Sequence, residues 1–336
     1  MPFTVWSAFN DFRQNMVDLP TDTTDKARVS RDYLFDQITR LAYNNTDFPR
    51  LYNGNRSFVP FGSFARKTKV RPLDDIDVLV LMNGYGTYEY QLTIGSSCRL
   101  GISEPSSHLL QFVDETGYVN STRVINRIKL HLFSISNYQK ADLKKNMQAV
   151  VLNLKSYPWV FDIVPAVPMG NNGVINYYLI PDGYGNWIRT DPRIDARNIT
   201  AVNSKHNGKF LGLMRLLKYW NNRAYYKPRL GSYYFETLVI KVFSSLWAEI
   251  TDYPNAIRYF FEQCPTYLMT SCPDPKNLGG NLDANVTRDV KIKIRDFMIQ
   301  QLQVADFALY YEKYSRHREA IAEWRKIFGS DFPIYG

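Results

Sequence analysis

The chain is poor in cysteine and histidine, with three of one and four of the other in 336 residues. Cys98, Cys264 and Cys272 form no CxxC pair, and His108, His131, His206 and His317 show no HxxxH spacing. A structural zinc site is therefore not expected, and an odd, sparse set of thiols suits a reducing compartment. Long hydrophobic runs are also lacking, since no apolar stretch approaches the roughly twenty residues of a membrane helix. The amino terminus, MPFTVWSAFNDFRQNM, has Asp11 and Arg13 inside its apolar pattern, so it reads as an amphipathic helix and not as a secretion signal. There is no internal repeat and no low-complexity segment. These absences lead to the expectation of a soluble, cytoplasmic, globular protein. Acidic residues are in deficit: 32 Asp and Glu against 41 Lys and Arg leave a net charge of +9, which favours polyanionic ligands, nucleotides and nucleic acids among them.

What is present is concentrated in FGSFARKTKVRPLDDIDVLVL, residues 61–81. Side chains alternate faces along a strand, so Asp75 and Asp77 point one way while Ile76 and Val78 point into the core. Asp74 falls on the other face and reads as an ordinary solvated carboxylate. Two carboxylates on one face can share hard cations such as Mg²⁺, which uses one or two protein carboxylates together with substrate phosphates. Gly62 and Ser63 follow an extended run, 57–61, and precede a short helical stretch. Free amides at a helix start suit phosphate, Gly permits close backbone approach, and the Ser hydroxyl adds a hydrogen bond. Alone, a Gly-Ser pair reads as an ordinary turn; the nearby carboxylate pair reverses that in favour of the phosphate reading.

A third carboxylate lies in Tyr157-Pro158-Trp159-Val160-Phe161-Asp162-Ile163-Val164-Pro165-Ala166. A charge inside so apolar a run needs a cation or an ion-pair partner, because burial without one costs several kcal/mol. Asp162 thus joins Asp75 and Asp77 as a candidate metal ligand, with a structural salt bridge as the other reading.

GSFARKT, DDIDVLVL and FDIVPAV together resemble the nucleotidyltransferases related to cyclic GMP-AMP synthase and 2′-5′ oligoadenylate synthetase. The likeness is greatest to their bacterial relatives, the CD-NTases of anti-phage (CBASS) signalling. Arg66 and Thr68 fit the bacterial form of the turn. The resemblance continues through the helix-patterned stretch 210–221, where Lys218 matches the lysine that reaches the donor triphosphate, and through Ser232-Tyr233. At those two positions the family's Ser touches phosphate and its Tyr stacks on a base; Ser232 also reads simply as a helix cap. The turn-rich stretch 272–281 resembles the family's Asp-Pro loop. A zinc-bearing insertion of the kind animal cyclic GMP-AMP synthase uses in sensing DNA is not expected here.

The resemblance implies an α+β fold, with a polymerase-beta-like lobe on a mixed sheet (residues 1–192) packed against a helical lobe (193–336) and nucleotides between them. It implies two Mg²⁺ ions, with Mn²⁺ as a substitute, held by Asp75, Asp77 and Asp162. It implies nucleoside triphosphates as donor and acceptor, a cyclic di- or trinucleotide product, a downstream effector that senses it, and a regulatory partner protein. A linear oligonucleotide synthase, an RNA-tailing enzyme of the CCA type, and a non-catalytic nucleotide- or RNA-binding module are the other readings. No stretch resembles the template helix of CCA enzymes, and none of the three Asp is missing.

Elsewhere, residues 10–45 predict one or two helices with Val29, Tyr33, Leu34, Ile38 and Leu41 on one stripe. Residues 83–117 read as irregular, and 171–190 as a hairpin. A helix is expected near 122–136, strands near 148–153 and 159–165, and helices after Pro192. Within 285–326, Phe297, Ile299, Leu302, Ala305, Leu309 and Tyr310 are expected in the core. Basic clusters at 123–129, 140–145 and 291–295 read as solvated helix faces.

Overall fold

The computed structural model describes residues 2–52, 56–92, 96–171, 173–223 and 227–336. The chain divides into two compact units, one of residues 21–66 and 73–193 and one of residues 1–20, 67–72 and 194–336. The division after Arg193 falls where the sequence changes to helical patterning, while the first twenty residues group with the helices.

The first unit is α+β. Among the described residues it has nine strands: β1 (Phe58–Phe61), β2 (Asp75–Leu81), β3 (Thr87–Gln91), β4 (Ser97–Ile102), β5 (Asp142–Asn146), β6 (Ala149–Asn153), β7 (Val160–Asn171), β8 (Val174–Pro181) and β9 (Trp187–Thr190). The sheet is mixed, in the order β1-β2-β7-β8-β9-β4-β3, with β6 on the other edge of β7 and β5 beyond it. Strand β7 is long enough to serve twice. Its first half pairs in parallel with β2 and antiparallel with β6, and its second half pairs antiparallel with β8. The parallel β2–β7 pair therefore sits inside the sheet, as its apolar composition requires: Ile76, Val78, Val80, Phe161 and Ile163 are buried on one face, and Leu79, Leu81, Val164 and Ala166 on the other. The expected hairpin is present as β8–β9; residue 172, at its start, lies outside the described residues.

Two expectations need correction in this unit. Residues 83–117 are not simply irregular, because β3 and β4 pair antiparallel there and β4 joins β9. Helix α2 (Thr21–Asn44) buries Leu34 and Ile38, but Val29 is 70% exposed and Tyr33 is 38% exposed, so the stripe is narrower than expected. Between them in the chain comes the single turn α3 (Gly62–Ala65). Helix α4 (Ser121–Phe133) starts where the Asn120 side chain accepts from the amides of Thr122 and Arg123, and it lays Val124, Ile125, Ile128 and Leu132 inward.

The second unit is helical. Helix α1 (Val5–Phe12) opens with a reciprocal Thr4/Ser7 capping box and buries Val5, Ala8, Phe9 and Phe12. After it come α5 (Pro192–Lys205), α6 (Phe210–Arg223), α7 (Ser232–Ser245), α8 (Tyr253–Met269), α9 (Arg288–Lys313) and α10 (His317–Phe328). The core is aromatic: Phe9 packs edge-on against Trp324 at 5.2 Å, and Trp220 against Phe261 at 5.0 Å. On α9, Ala305 is buried and Phe297, Leu302 and Leu309 pack against the core. Ile299 and Tyr310 do not belong there, with 43% and 55% exposure, because α9 covers its neighbours along a narrower strip than the sequence stripe suggested. Cys98 in the sheet unit and Cys264 and Cys272 in the helical unit are buried free thiols. Among the described residues no helix is long and apolar enough to cross a membrane.

Candidate active site

In the sheet unit, β2 and β7 run in parallel with Asp77 directly beside Asp162 and Asp75 beside Val160. Residues in register on neighbouring strands project to the same face, so Asp75, Asp77 and Asp162 share one. The burial pattern along β2 agrees, with Asp75 and Asp77 half-buried and Ile76 and Val78 fully buried. Farther along that face Leu79, Leu81, Val164 and Ala166 form an apolar cluster, so the carboxylates stand at the wet end of a dry surface.

The Gly-Ser turn is brought to the same place. Phe61 pairs with Asp77 across the antiparallel β1–β2 ladder, so Gly62 comes next to the carboxylate. Gly62 has φ +70°, and a Cβ built on it would lie 1.7 Å from Asp77 Oδ2. Glycine is needed twice here, for its left-handed conformation and for the space that the carboxylate occupies. Helix α3 is one turn long, so room beside Asp77 matters more than a helix dipole.

Asp162 is half-buried and makes no hydrogen bond or ion pair with any described residue. Burial, and then the Asp75 charge, push its pKa up. A group in that position is stabilised as a carboxylate by a cation, and the salt-bridge reading finds no partner among the described residues. No three His, Cys, Asp or Glu side chains among those residues are drawn into a closed ligand cluster. That is compatible with Mg²⁺, which takes one or two carboxylates and completes its shell with water and phosphate oxygens.

In the helical unit, Lys218 on α6 is 5% exposed and pairs with Glu236 on α7 at 2.5 Å. Thr68 Oγ1 donates to the same Glu236 Oε1 at 3.2 Å, and Ser232 Oγ, at the start of α7, lies 3.5 Å from it. Three residues singled out in the sequence thus meet at one carboxylate that the sequence reading missed. Its signal was the four-residue spacing Ser232–Glu236, one turn of a helix. Tyr233 Oη donates to Asp195 Oδ1 at 2.7 Å and lies 3.2 Å from Asp274 Oδ1. The Asp-Pro loop is therefore next to the tyrosine, and Asp195 and Lys276 are further residues that sequence reasoning did not find.

No protein-family model matches the chain. The protein named "Probable cyclic nucleotide synthase" of Bacillus cereus (strain VD146) is 38% identical over 336 residues, covering 99% of this chain and 98% of its own. A cyclic AMP-AMP-AMP synthase of Acinetobacter sp. is 28% identical over 284 residues, 81% of this chain and 71% of that protein. Among solved structures, Escherichia coli CdnC with ATP superposes with a TM-score of 0.71 at 20% identity, covering 98% of each chain. Vibrio cholerae DncV, solved with ATP, GTP and 5MTHFGLU2, gives 0.70 at 10% identity over 99% of this chain and 97% of its own. The α+β fold is theirs. With the first relative so similar across almost its whole length, the chain belongs to the bacterial CD-NTases, the nucleotidyltransferases that synthesise cyclic oligonucleotides.

Proposed function

We propose that this enzyme condenses nucleoside triphosphates into a cyclic di- or trinucleotide, releasing pyrophosphate at each step, as a signal in anti-phage defence. The observation that carries the reading is the in-register placement of Asp77 and Asp162, with Asp75 on the same face and Gly62 alongside. Asp75 and Asp77 would hold a divalent cation on the donor triphosphate, and Asp162 would complete the ligand set toward the acceptor hydroxyl. Mg²⁺ or Mn²⁺ held there would lower the pKa of the attacking hydroxyl and offset charge on the α-phosphate and the leaving pyrophosphate. The absence of a side chain at Gly62 leaves the Asp77 carboxylate its place beside the turn, and Ser63 adds a hydrogen bond to a terminal phosphate. In the helical unit we assign Lys218 and Ser232 to the triphosphate and Tyr233 to a base. Phosphate oxygens reaching Lys218 compete with Glu236 for its ammonium.

Two relatives are named as cyclic AMP-AMP-AMP synthases, which makes ATP the first substrate to test. CdnC of E. coli has been solved with a HORMA protein, and a regulatory partner of that kind is proposed here together with an effector that senses the product. The test is incubation with all four radiolabelled triphosphates and Mg²⁺ or Mn²⁺, followed by mass spectrometry of the phosphatase-resistant material. A cyclic product is expected. Phosphatase-sensitive product would point to linear oligonucleotides, and ATP binding without pyrophosphate release, with or without phage lysate, would remove the catalytic reading.

A further inference from the structure

Tyr233 is held by groups from three separate segments. Its hydroxyl donates to Asp195 Oδ1, on α5, at 2.7 Å and lies 3.2 Å from Asp274 Oδ1. Lys276 Nζ donates to the same hydroxyl oxygen and lies 4.1 Å from the ring centroid. The ammonium also pairs with Asp274 at 3.1 Å and Asp195 at 3.6 Å. These three charged side chains are only 7–12% exposed, so their interactions are little screened. Tyr233 itself remains partly exposed.

The chemistry is that of a clamp. Two buried carboxylates this close repel each other unless a cation lies between them, and Lys276 supplies it. The phenol has one proton to give and receives one hydrogen bond from Lys276, so both of its roles are used. Burial and the two carboxylates push the Tyr233 pKa up, which keeps that proton in place. A free tyrosine rotates about χ1 and χ2; this one is fixed at its far end, and ordering it in advance removes an entropic cost from binding.

We propose that Lys276, with Asp195 and Asp274, is a positioning device that fixes Tyr233 by its hydroxyl as a platform for a nucleobase. The inference rests on the reading of Tyr233 as a base-stacking residue. Lys276 is a positioning residue in it, acting on the nucleotide through the tyrosine.

The test is ATP affinity with Mg²⁺ present, by calorimetry, together with kcat for pyrophosphate release and the melting temperature of each variant. Tyr233→Ala should weaken ATP binding roughly tenfold or more, the usual effect of losing one aromatic–base stack. Lys276→Met should weaken it several-fold with kcat little changed, and Lys276→Arg, which keeps a cationic donor between the phenol and the two carboxylates, should restore most of the affinity. In the Tyr233→Ala background Lys276→Met should add nothing, because its effect passes through the ring. Full additivity in that background, or wild-type affinity in Lys276→Met, overturns the clamp while leaving Tyr233 as a platform. Unchanged ATP affinity in Tyr233→Ala removes the platform itself. If Lys276→Met melts too early to assay, Asp195→Ala, which removes the phenol's hydrogen-bond acceptor, is read against the same criteria.

Discussion

Asp77 and Asp162 are direct neighbours across the parallel pair β2–β7, in register and on one face. Asp75 lies two residues along the same face of β2, and its charge opposes ionisation of Asp162. Opposing effects on catalysis and stability follow. Asp162→Asn should lower pyrophosphate release by roughly a hundredfold or more, yet raise the melting temperature of the metal-free protein by relieving repulsion. Calorimetric scans with and without Mg²⁺ check both effects, because metal should stabilise the wild type by mass action and lose most of that effect in the variant. A fall in metal-free stability would place Asp162 in a structural pairing.

Gly62→Ala tests the turn. Its left-handed φ costs a non-glycine residue about 1–2 kcal/mol, and the new methyl group would collide with the Asp77 carboxylate. Activity should fall to the level of Asp77→Ala, while chemical denaturation registers only the modest backbone cost. Retained activity would mean that Asp77 turns away without consequence.

The buried pair Lys218–Glu236 separates structure from chemistry. Glu236→Gln or Lys218→Met alone leaves a buried charge without its partner, at a cost of about 3–5 kcal/mol. Lys218→Met combined with Glu236→Leu should recover much of that stability. If Lys218 also serves the triphosphate, the double variant folds well and still fails to turn over ATP. Recovery of both properties together would confine Lys218 to a structural role.

Lys227 gives a pH dependence. It is buried, lies 4.5 Å over the Trp220 ring, and donates to the Asn221 carbonyl at 3.2 Å. Burial, then the Arg229 charge, bring its pKa down from 10.5 to about 8. Below about pH 8 folded and unfolded chains are both protonated and the cost of burying the charge is constant. Between there and its unfolded value the unfolded chain holds the extra proton, so stability rises with pH by up to roughly 3 kcal/mol. Urea midpoints for wild type and Lys227→Met should shift in favour of the wild type across that window and stay parallel below it. Parallel behaviour throughout would mean that Lys227 titrates as it does in water.

The three carboxylates were legible because they obey a local rule. Alternation along a strand places Asp75 with Asp77, and an isolated charge in an apolar run marks Asp162. Gly62 was legible as a glycine, but its reason, the Asp77 carboxylate filling its missing side chain, exists only once β1 and β2 pair. Strands β3 and β4 were missed because in β3 the tyrosines Tyr88 and Tyr90 face out and the charged Glu89 is the inward residue, the reverse of the usual polarity; their order comes from the ladder β3–β4–β9. Glu236 was passed over, although it follows Ser232 by one helical turn. Asp195, Asp274 and Lys276 were invisible as a group because contacts over some forty and eighty residues of sequence leave no periodic trace. Ile299 and Tyr310 were assigned to the core by spacing, which finds a helix's apolar stripe but not how much of it the neighbours cover.

The buried thiols give the two compact units separate clocks. Burial pushes the pKa of both Cys98 and Cys264 up, so each reacts with a thiol reagent only when its surroundings open. Cys98 belongs to the sheet unit and Cys264 to the helical unit, and with Cys272 replaced as well, removing either sulfur leaves the other as a lone reporter. Labelling rates measured across a denaturant series would then show whether the half that carries the carboxylates and the half that carries Tyr233 unfold as one cooperative body or as two.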